Sequence, residues 1–415
     1  MSSSHPKIKI ENLVKIYGEN PQRALKMFRE GGNREEILKA TGNVLGVADV
    51  SLTINEGELF VIMGLSGSGK STLVRCINRL IESTSGQIYV DDEDILQVKK
   101  DRLREIRRTK MSMVFQRFGL FPHKTVLENV EYGLQLRGIP SAERHKKAQD
   151  TLDAVGLGEW GDYFPDNLSG GMQQRVGLAR ALATDAPIML MDEAFSALDP
   201  LIRRGMQDEL IRLQEELHKT IIFISHDIQE SLKIGDRVAI MKDGYLVQVG
   251  TPQEIVTNPV DDYIRAFTLD VNRAQVLKTG SILRTTSPFS LGTGPAANAL
   301  QKMKEFQHRH MYVVNDAGQP VGLLIQDELE AAVHQGVTDV RKVMVTDFPT
   351  VDINNNLEEI FHVAQENIPL AVLASNGKFR GVVEPSDIFA SISAPTNGNG
   401  EAPSPAATAA TTVTA

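Results

Sequence analysis

The stretch Gly64-LSGSGKS-Thr72 limits the folds open to this chain more than any other. It follows LFVIM (59–63), a run with no polar face, and precedes LVRCINRL, which has helical spacing. A buried strand, a glycine-rich loop and a helix are the setting of the phosphate loop GxxxxGK[ST]. Gly64, Gly67 and Gly69 let backbone N–H groups crowd around phosphate oxygens, and the helix N-terminus adds partial positive charge. Leu65, Ser66, Ser68 and Thr72 complete the expected nucleotide-binding loop. Lys70 is expected to reach the β- and γ-phosphates and the Ser71 hydroxyl to ligate Mg²⁺.

IMLMD (188–192) and IIFIS (221–225) are likewise apolar on both faces. Such strands belong to a doubly wound α/β sheet. The first ends on Asp192, a candidate metal ligand, followed by Glu193. A carboxylate one residue past the metal ligand is placed to polarise water for attack on the γ-phosphate.

At 415 residues two or three domains are expected. A net charge of −9 gives no global reason to bind nucleic acid. Cys76, alone in the chain, rules out an internal disulfide framework and fits a reducing compartment. MSSSHPKIKIEN has no apolar h-region, and no apolar run approaches the roughly 20 residues of a membrane helix. A cytosolic chain is expected, unless a partner brings it to a membrane.

LSGGMQQR (168–175) narrows the reading, because paired glycines after a serine at a helix start make a second anion-binding nest. With Gln116 in VFQRFGLFPH, SALD (196–199) and His226 in FISHD, the set resembles the ATP-binding cassette (ABC) family over about residues 7–250. The resemblance implies a RecA-like P-loop NTPase core with antiparallel β and helical subdomains (the helical one about 118–180). It also implies a head-to-tail homodimer, with ATP between one subunit's phosphate loop and the other's LSGGM. Ser169, Gly170 and Gly171 would then contact the γ-phosphate in trans and His226 in cis. Gln116 would sense Mg²⁺ and water, Asp199 would line the dimer seam, and Tyr17 would stack on adenine.

The chain carries one compact cassette and no fused membrane span, which favours a separate importer subunit over an exporter or a soluble ABC protein. In importers the segment FGLFPHKTVLENV receives the coupling helix of a multi-span permease, giving exposed Phe118, Leu120 and Phe121 a task. Between Tyr17 and Val47, NPQRALKMFREGG and NREEILKATGN read as two short helices, an insert over 20–43. That insert resembles the ATPase subunits of glycine betaine/proline betaine importers, which implies an extracytoplasmic substrate-binding protein or domain as a further partner. It also implies a peripheral position on the cytoplasmic face of the inner membrane. Choline, proline or another solute would look the same from this chain.

His310-MYVVNDAGQPVGL-Leu324 recurs 59 residues later as Pro369-LAVLASNGKFRGV-Val383, with glycines at matching places (Gly318 and Gly377, Gly322 and Gly381). The two units, 279–336 and 340–393, resemble a tandem α+β pair of CBS domains. The first domain is expected to run to 270, with a helical linker over 271–278 and a disordered tail from Ala394. CBS pairs often bind adenine nucleotides. A typical ribose site has Ser/Thr after the second strand and Asp three residues on; here stand Ile325 with Glu328, and Glu384 with Asp387. Ordinary ATP or AMP binding there is thereby put in doubt. A regulatory cyclic dinucleotide, ionic strength and anionic lipid are the signals left open. KKDRLREIRRTK (99–110), seven basic residues against two acidic, reads first as a solvated helix face and second as a lipid contact.

Overall fold

The structure, a computed structural model, describes residues 5–116, 119–196, 198–364 and 368–393. Phe118, Ala197 of the SALD motif and the expected tail from Ala394 lie outside them. The chain divides into two compact units, 1–255 and 256–415.

In the first unit the three all-apolar runs become neighbouring parallel strands. The six-stranded sheet has the order Tyr245–Gly250, Arg237–Lys242, Leu59–Met63, Thr220–Ser225, Ile188–Asp192, Met111–Val114. Only Tyr245–Gly250 runs antiparallel to its neighbour. A second, antiparallel sheet is built from Val44–Asn55, Pro6–Tyr17, Ser85–Val90 and Glu93–Asp94. One apolar core joins Ile8, Ile10, Val50 and Ile88 of this sheet to Phe60, Leu190 and Ile222 of the other, with Leu73, Val74 and Ile77 among them.

The insert forms the helices Pro21–Arg29 and Arg34–Thr41. The Asn20 side chain accepts from the Arg23 N–H; Asn33 and Glu36 make a reciprocal capping box, and Gly42 ends the second helix at φ 68°. Ala24, Leu25 and Ile37 bury against Val14, Ile16 and Leu45. The helical subdomain comprises Val126–Leu136, Ser141–Ala154 and Gly170–Ala183.

In the second unit each repeat has its own three-stranded sheet. Phe289–Ser290, His310–Val314 and Pro320–Ile325 form one; Thr350–Asp352, Leu370–Leu373 and Phe379–Val383 form the other. The repeats exchange their leading segments. Arg284 pairs with Val382 and Val345 with Leu323, each through two 2.9 Å backbone hydrogen bonds. This exchange explains the second repeated glycine. A Cβ at Gly381 would lie 2.3 Å from the Arg284 carbonyl, and one at Gly322 would lie 2.5 Å from Met344 Sδ. Tyr312, Leu323, Ala371 and Val382 then close a shared core, with Tyr312 between Phe348 and Phe379.

Three expectations need correction. VNRAQVLK is not a linker: its helix, Arg273–Val276, belongs to the second unit, and Ala274 and Leu277 sit in one core with Val351, Leu357 and Ile388. Its apolar residues recur closely enough to form a buried face, which a free linker would leave in water. The first unit ends at Ile255 rather than at 270, so the helix Asp262–Thr268 falls in the second unit. Leu120 and Phe121 are half-buried rather than exposed, the Phe121 ring 4.7 Å from that of Tyr132.

The Tyr312 hydroxyl donates to the buried Pro369 carbonyl at 2.6 Å. Tyr312→Phe leaves that carbonyl unpaired and is expected to lower stability by about 1–3 kcal/mol, read from the denaturant midpoint of the second unit's transition.

Candidate active site

Ligand sites of open α/β sheets lie at the carboxyl ends of the strands. Four neighbouring strand ends here carry the phosphate loop (after Met63), His226 (after Ser225), Asp192 with Glu193, and Gln116 (just past Val114). The strand order brings these groups into one row.

The loop's conformation rests on its glycines. Gly64 (φ 150°) has the Met241 carbonyl 2.2 Å from where a Cβ would stand, and Gly69 (φ 102°) has the Gly46 carbonyl at 2.3 Å. Gly67 (φ 78°) faces open space, where left-handed backbone alone favours glycine. Gly244 donates its N–H to the Ser68 carbonyl at 3.0 Å and accepts from Ala48 N–H at 2.9 Å, pinning the loop from outside. Lys70 Nζ is buried and donates to the carbonyls of Gly64 (2.8 Å) and Leu65 (3.0 Å). Burial lowers its pKa, against the raising effect of Glu193 and Asp192. Ser68 Oγ is buried without a partner, while Leu65 and Ser66 are exposed.

Ser71 Oγ donates to Asp192 Oδ1 at 2.8 Å. Asp192 Oδ2 accepts from Arg75 Nη2 at 3.1 Å. Among the described residues no three His, Cys, Asp or Glu side chains cluster as a metal cage. One hydroxyl beside one carboxylate suits Mg²⁺, which keeps waters and phosphate oxygens in its shell. Glu193 lies at φ 49°, an uncommon backbone for a residue with a Cβ, of the kind found at functional sites. Its Oε2 accepts from Gln116 Nε2 at 2.9 Å and stands 3.7 Å from His226 Nδ1. Gln116, Glu193 and His226 therefore converge.

Tyr17 ends its strand partly exposed, its hydroxyl 3.1 Å from Thr72 Oγ1 and Lys15 Nζ 4.9 Å from its ring centroid. Ser169 is tied to its own helix, accepting from Met172 N–H at 3.3 Å, and Gly170 faces open space. Gly171 packs near Ile202 and Leu198. Asp199 caps Pro200–Leu217 by accepting from the N–H groups of Leu201 and Ile202. The basic segment 99–110 is a solvated helix face, with Lys99, Lys100, Arg102, Arg104 and Arg108 exposed and several of its cations paired at the surface. Arg102 pairs with Glu93 and Glu105, Arg104 with Asp101, Lys110 with Asp91, and Arg107 donates to the Asn78 and Arg79 carbonyls. In the second unit Asp387 Oδ1 is held by Arg284 Nη2 at 2.6 Å.

The sequence pattern of the ABC transporter family matches residues 47–196, and that of the CBS domain matches 339–394. The glycine betaine transport ATP-binding protein OpuAA of Bacillus subtilis is 49% identical over 378 residues, 91% of this chain and 90% of its own. The glycine betaine/proline betaine transport system ATP-binding protein ProV of Salmonella typhimurium is also 49% identical, over 91% of this chain and 95% of its own. The chain belongs to the glycine betaine/proline betaine family of ABC transporter ATP-binding subunits. A dimeric cassette, MJ0796, bound to ADP and Pi, is 35% identical with a TM-score of 0.51, covering 59% of this chain and 98% of its own. The chain is an ATP-hydrolysing ABC ATPase subunit of an importer, with CBS repeats after the cassette in sequence.

Arg75 escapes the sequence reading, although its place one turn after Ser71 (i, i+4) puts both on one helix face. Lys15 escapes it too; it shares a strand face with Tyr17 at i, i+2. At Gly69 an added Cβ meets backbone on a left-handed residue. Gly69→Ala is expected to weaken ATP binding about tenfold or more, read as the Kd of a fluorescent ATP analogue.

Proposed function

We propose that the chain powers uptake of glycine betaine or a closely related compatible solute, as the ATPase pair beneath a multi-span permease served by an extracytoplasmic binding protein. The observation that carries the reading is the near full-length likeness to two glycine betaine transport ATP-binding proteins. No helix among the described residues is long and apolar enough to cross a membrane; in this reading the permease is a partner chain that holds this one peripherally at the cytoplasmic face. In this reading Tyr17 stacks on the adenine, the loop from Gly64 to Thr72 wraps the phosphates, and Lys70 turns from its carbonyl partners to the β- and γ-phosphates. Ser71 and Asp192 hold Mg²⁺, which neutralises developing phosphate charge when bound. Glu193 takes the proton of the attacking water. Gln116 orients that carboxylate, and His226 supports the γ-phosphate side. A second copy supplies Ser169, Gly170 and Gly171, with Asp199 at the seam. The likeness to MJ0796, a dimeric cassette bound to ADP and Pi, supports this arrangement.

The CBS repeats are proposed as the regulatory part. Asp387 is ion-paired with Arg284 and no hydroxyl stands at Ile325 or Glu384, which supports a signal other than ordinary ATP or AMP. Glu193→Gln removes the base but keeps the side chain's shape, so hydrolysis is expected to fall about 10²–10⁴-fold with ATP binding retained; phosphate release and nucleotide binding measure the two. Vesicles holding the complex with its permease are expected to accumulate glycine betaine with ATP inside. Uptake of choline or proline but not betaine would remove the solute assignment and leave the ATPase reading standing.

A further inference from the structure

The turn carrying His226 is held by a buried carboxyl outside the row of strand-end groups. Glu230 lies on Ile228–Ile234, a short helix capped by Asp227 Oδ1, and is 8% exposed. Its Oε2 is paired with the Ser225 hydroxyl. Ser225 Oγ also accepts from Asp227 N–H at 3.0 Å, so the two residues flanking His226 share one hydroxyl, and Glu230 holds that hydroxyl. Glu230 Oε1 accepts from Gln207 Nε2 at 3.1 Å. Gln207 is itself buried, on the helix Pro200–Leu217.

The same long helix grips the catalytic side of the row. Arg203 Nη2 donates to the Ser196 and Leu198 carbonyls, in the turn that follows Glu193, and Arg203 Nη1 lies 3.8 Å from Asp227 Oδ2. One rigid helix therefore touches both the segment after Glu193 and the turn bearing His226. Buried polar pairs of this kind hold their partners at fixed separation, because parting them leaves unpaired groups away from water. Burial raises the pKa of Glu230, a trend opposed by Ser225 and Gln207, reinforced by Asp227 and opposed by Arg203. A neutral amide at this position can serve both partners.

We infer that Glu230 is a positioning residue for ATP hydrolysis, locking the His226 turn to the helix Pro200–Leu217 through Ser225 and Gln207. The inference rests on the proposed role of His226 at the γ-phosphate. A carboxyl that served stability alone would change the melting temperature and leave the turnover of the folded protein intact.

The test uses the full chain, with steady-state ATP hydrolysis and melting temperature measured for four variants. His226→Ala is expected to lower kcat at least tenfold. Glu230→Ala is expected to lower kcat about tenfold with KM for ATP within about twofold of wild type, and Glu230→Gln to restore kcat to within about twofold. Gln207→Met, which leaves Glu230 in place but removes its donor, is expected to lower kcat at least threefold and serves if Glu230→Ala does not fold. Unchanged kcat in Glu230→Ala or Gln207→Met, with His226→Ala impaired, overturns this inference alone. So does a Glu230→Gln as slow as the alanine variant. An unimpaired His226→Ala overturns the His226 role and this inference with it.

Discussion

At Gly64 and Gly69 the phosphate loop approaches other backbone so closely that a Cβ would overlap the carbonyls of Met241 and Gly46. Those carbonyls belong to separate strands, one from each sheet of the first unit, so the loop's shape records how the two sheets pack. Gly244, in the turn after Met241, closes the bracket by bonding Ser68 and Ala48 together. The insert reaches the same turn through the Arg34–Asp243 ion pair. Such exposed pairs contribute under about 1 kcal/mol, so the glycine contacts and the shared core dominate. A loop fixed this firmly does not have to be ordered when phosphate arrives.

From that fixed loop the chemistry extends sideways along the sheet. Met63 pairs with Ser225, Ile224 with Asp192 and Met191 with Val114, so each step of about 4.8 Å across the strands brings the next functional group into range. The positive φ of Glu193 departs from the strand direction just after Asp192. Its carboxylate is then within reach of Gln116 and His226 from the flanking strands. Side chains borne on strand ends with locked backbones are held more accurately than groups on free loops.

Much of this is legible without coordinates, for a physical reason. Strands buried on both faces must be continuously apolar, so LFVIM, IMLMD and IIFIS declare themselves, and motifs attached to their ends inherit a location. Asn20, Asn33 and Gly42 announce the insert helices through capping chemistry. Residues 271–278 read as a linker because a four-residue helix has too little periodicity to reveal which core it joins. Phe121 reads as exposed because local sequence does not say that Tyr132 lies over it. Gly322 and Gly381 stand out as repeats, but their cause, a crossing segment from the other repeat, is a long-range contact invisible in either copy. Glu230 and Gln207 stand 23 residues apart on different helices, and no spacing rule links them.

The central claim, that ATP is gripped between the phosphate loop of one copy and the LSGGM segment of another, has a direct measurement. Leu65 and Gly170 are exposed, and Gly170 has open space for a side chain. The sole native thiol, Cys76, is buried with its pKa pushed up to about 12 and will not compete. Leu65→Cys and Gly170→Cys chains would be mixed with a short bismaleimide and a non-hydrolysable ATP analogue. A head-to-tail pair predicts a covalent mixed dimer of two 45.6 kDa chains that requires nucleotide and does not form from either variant alone. A mixture that stays monomeric with nucleotide, or cross-links equally well within each single variant, would contradict it.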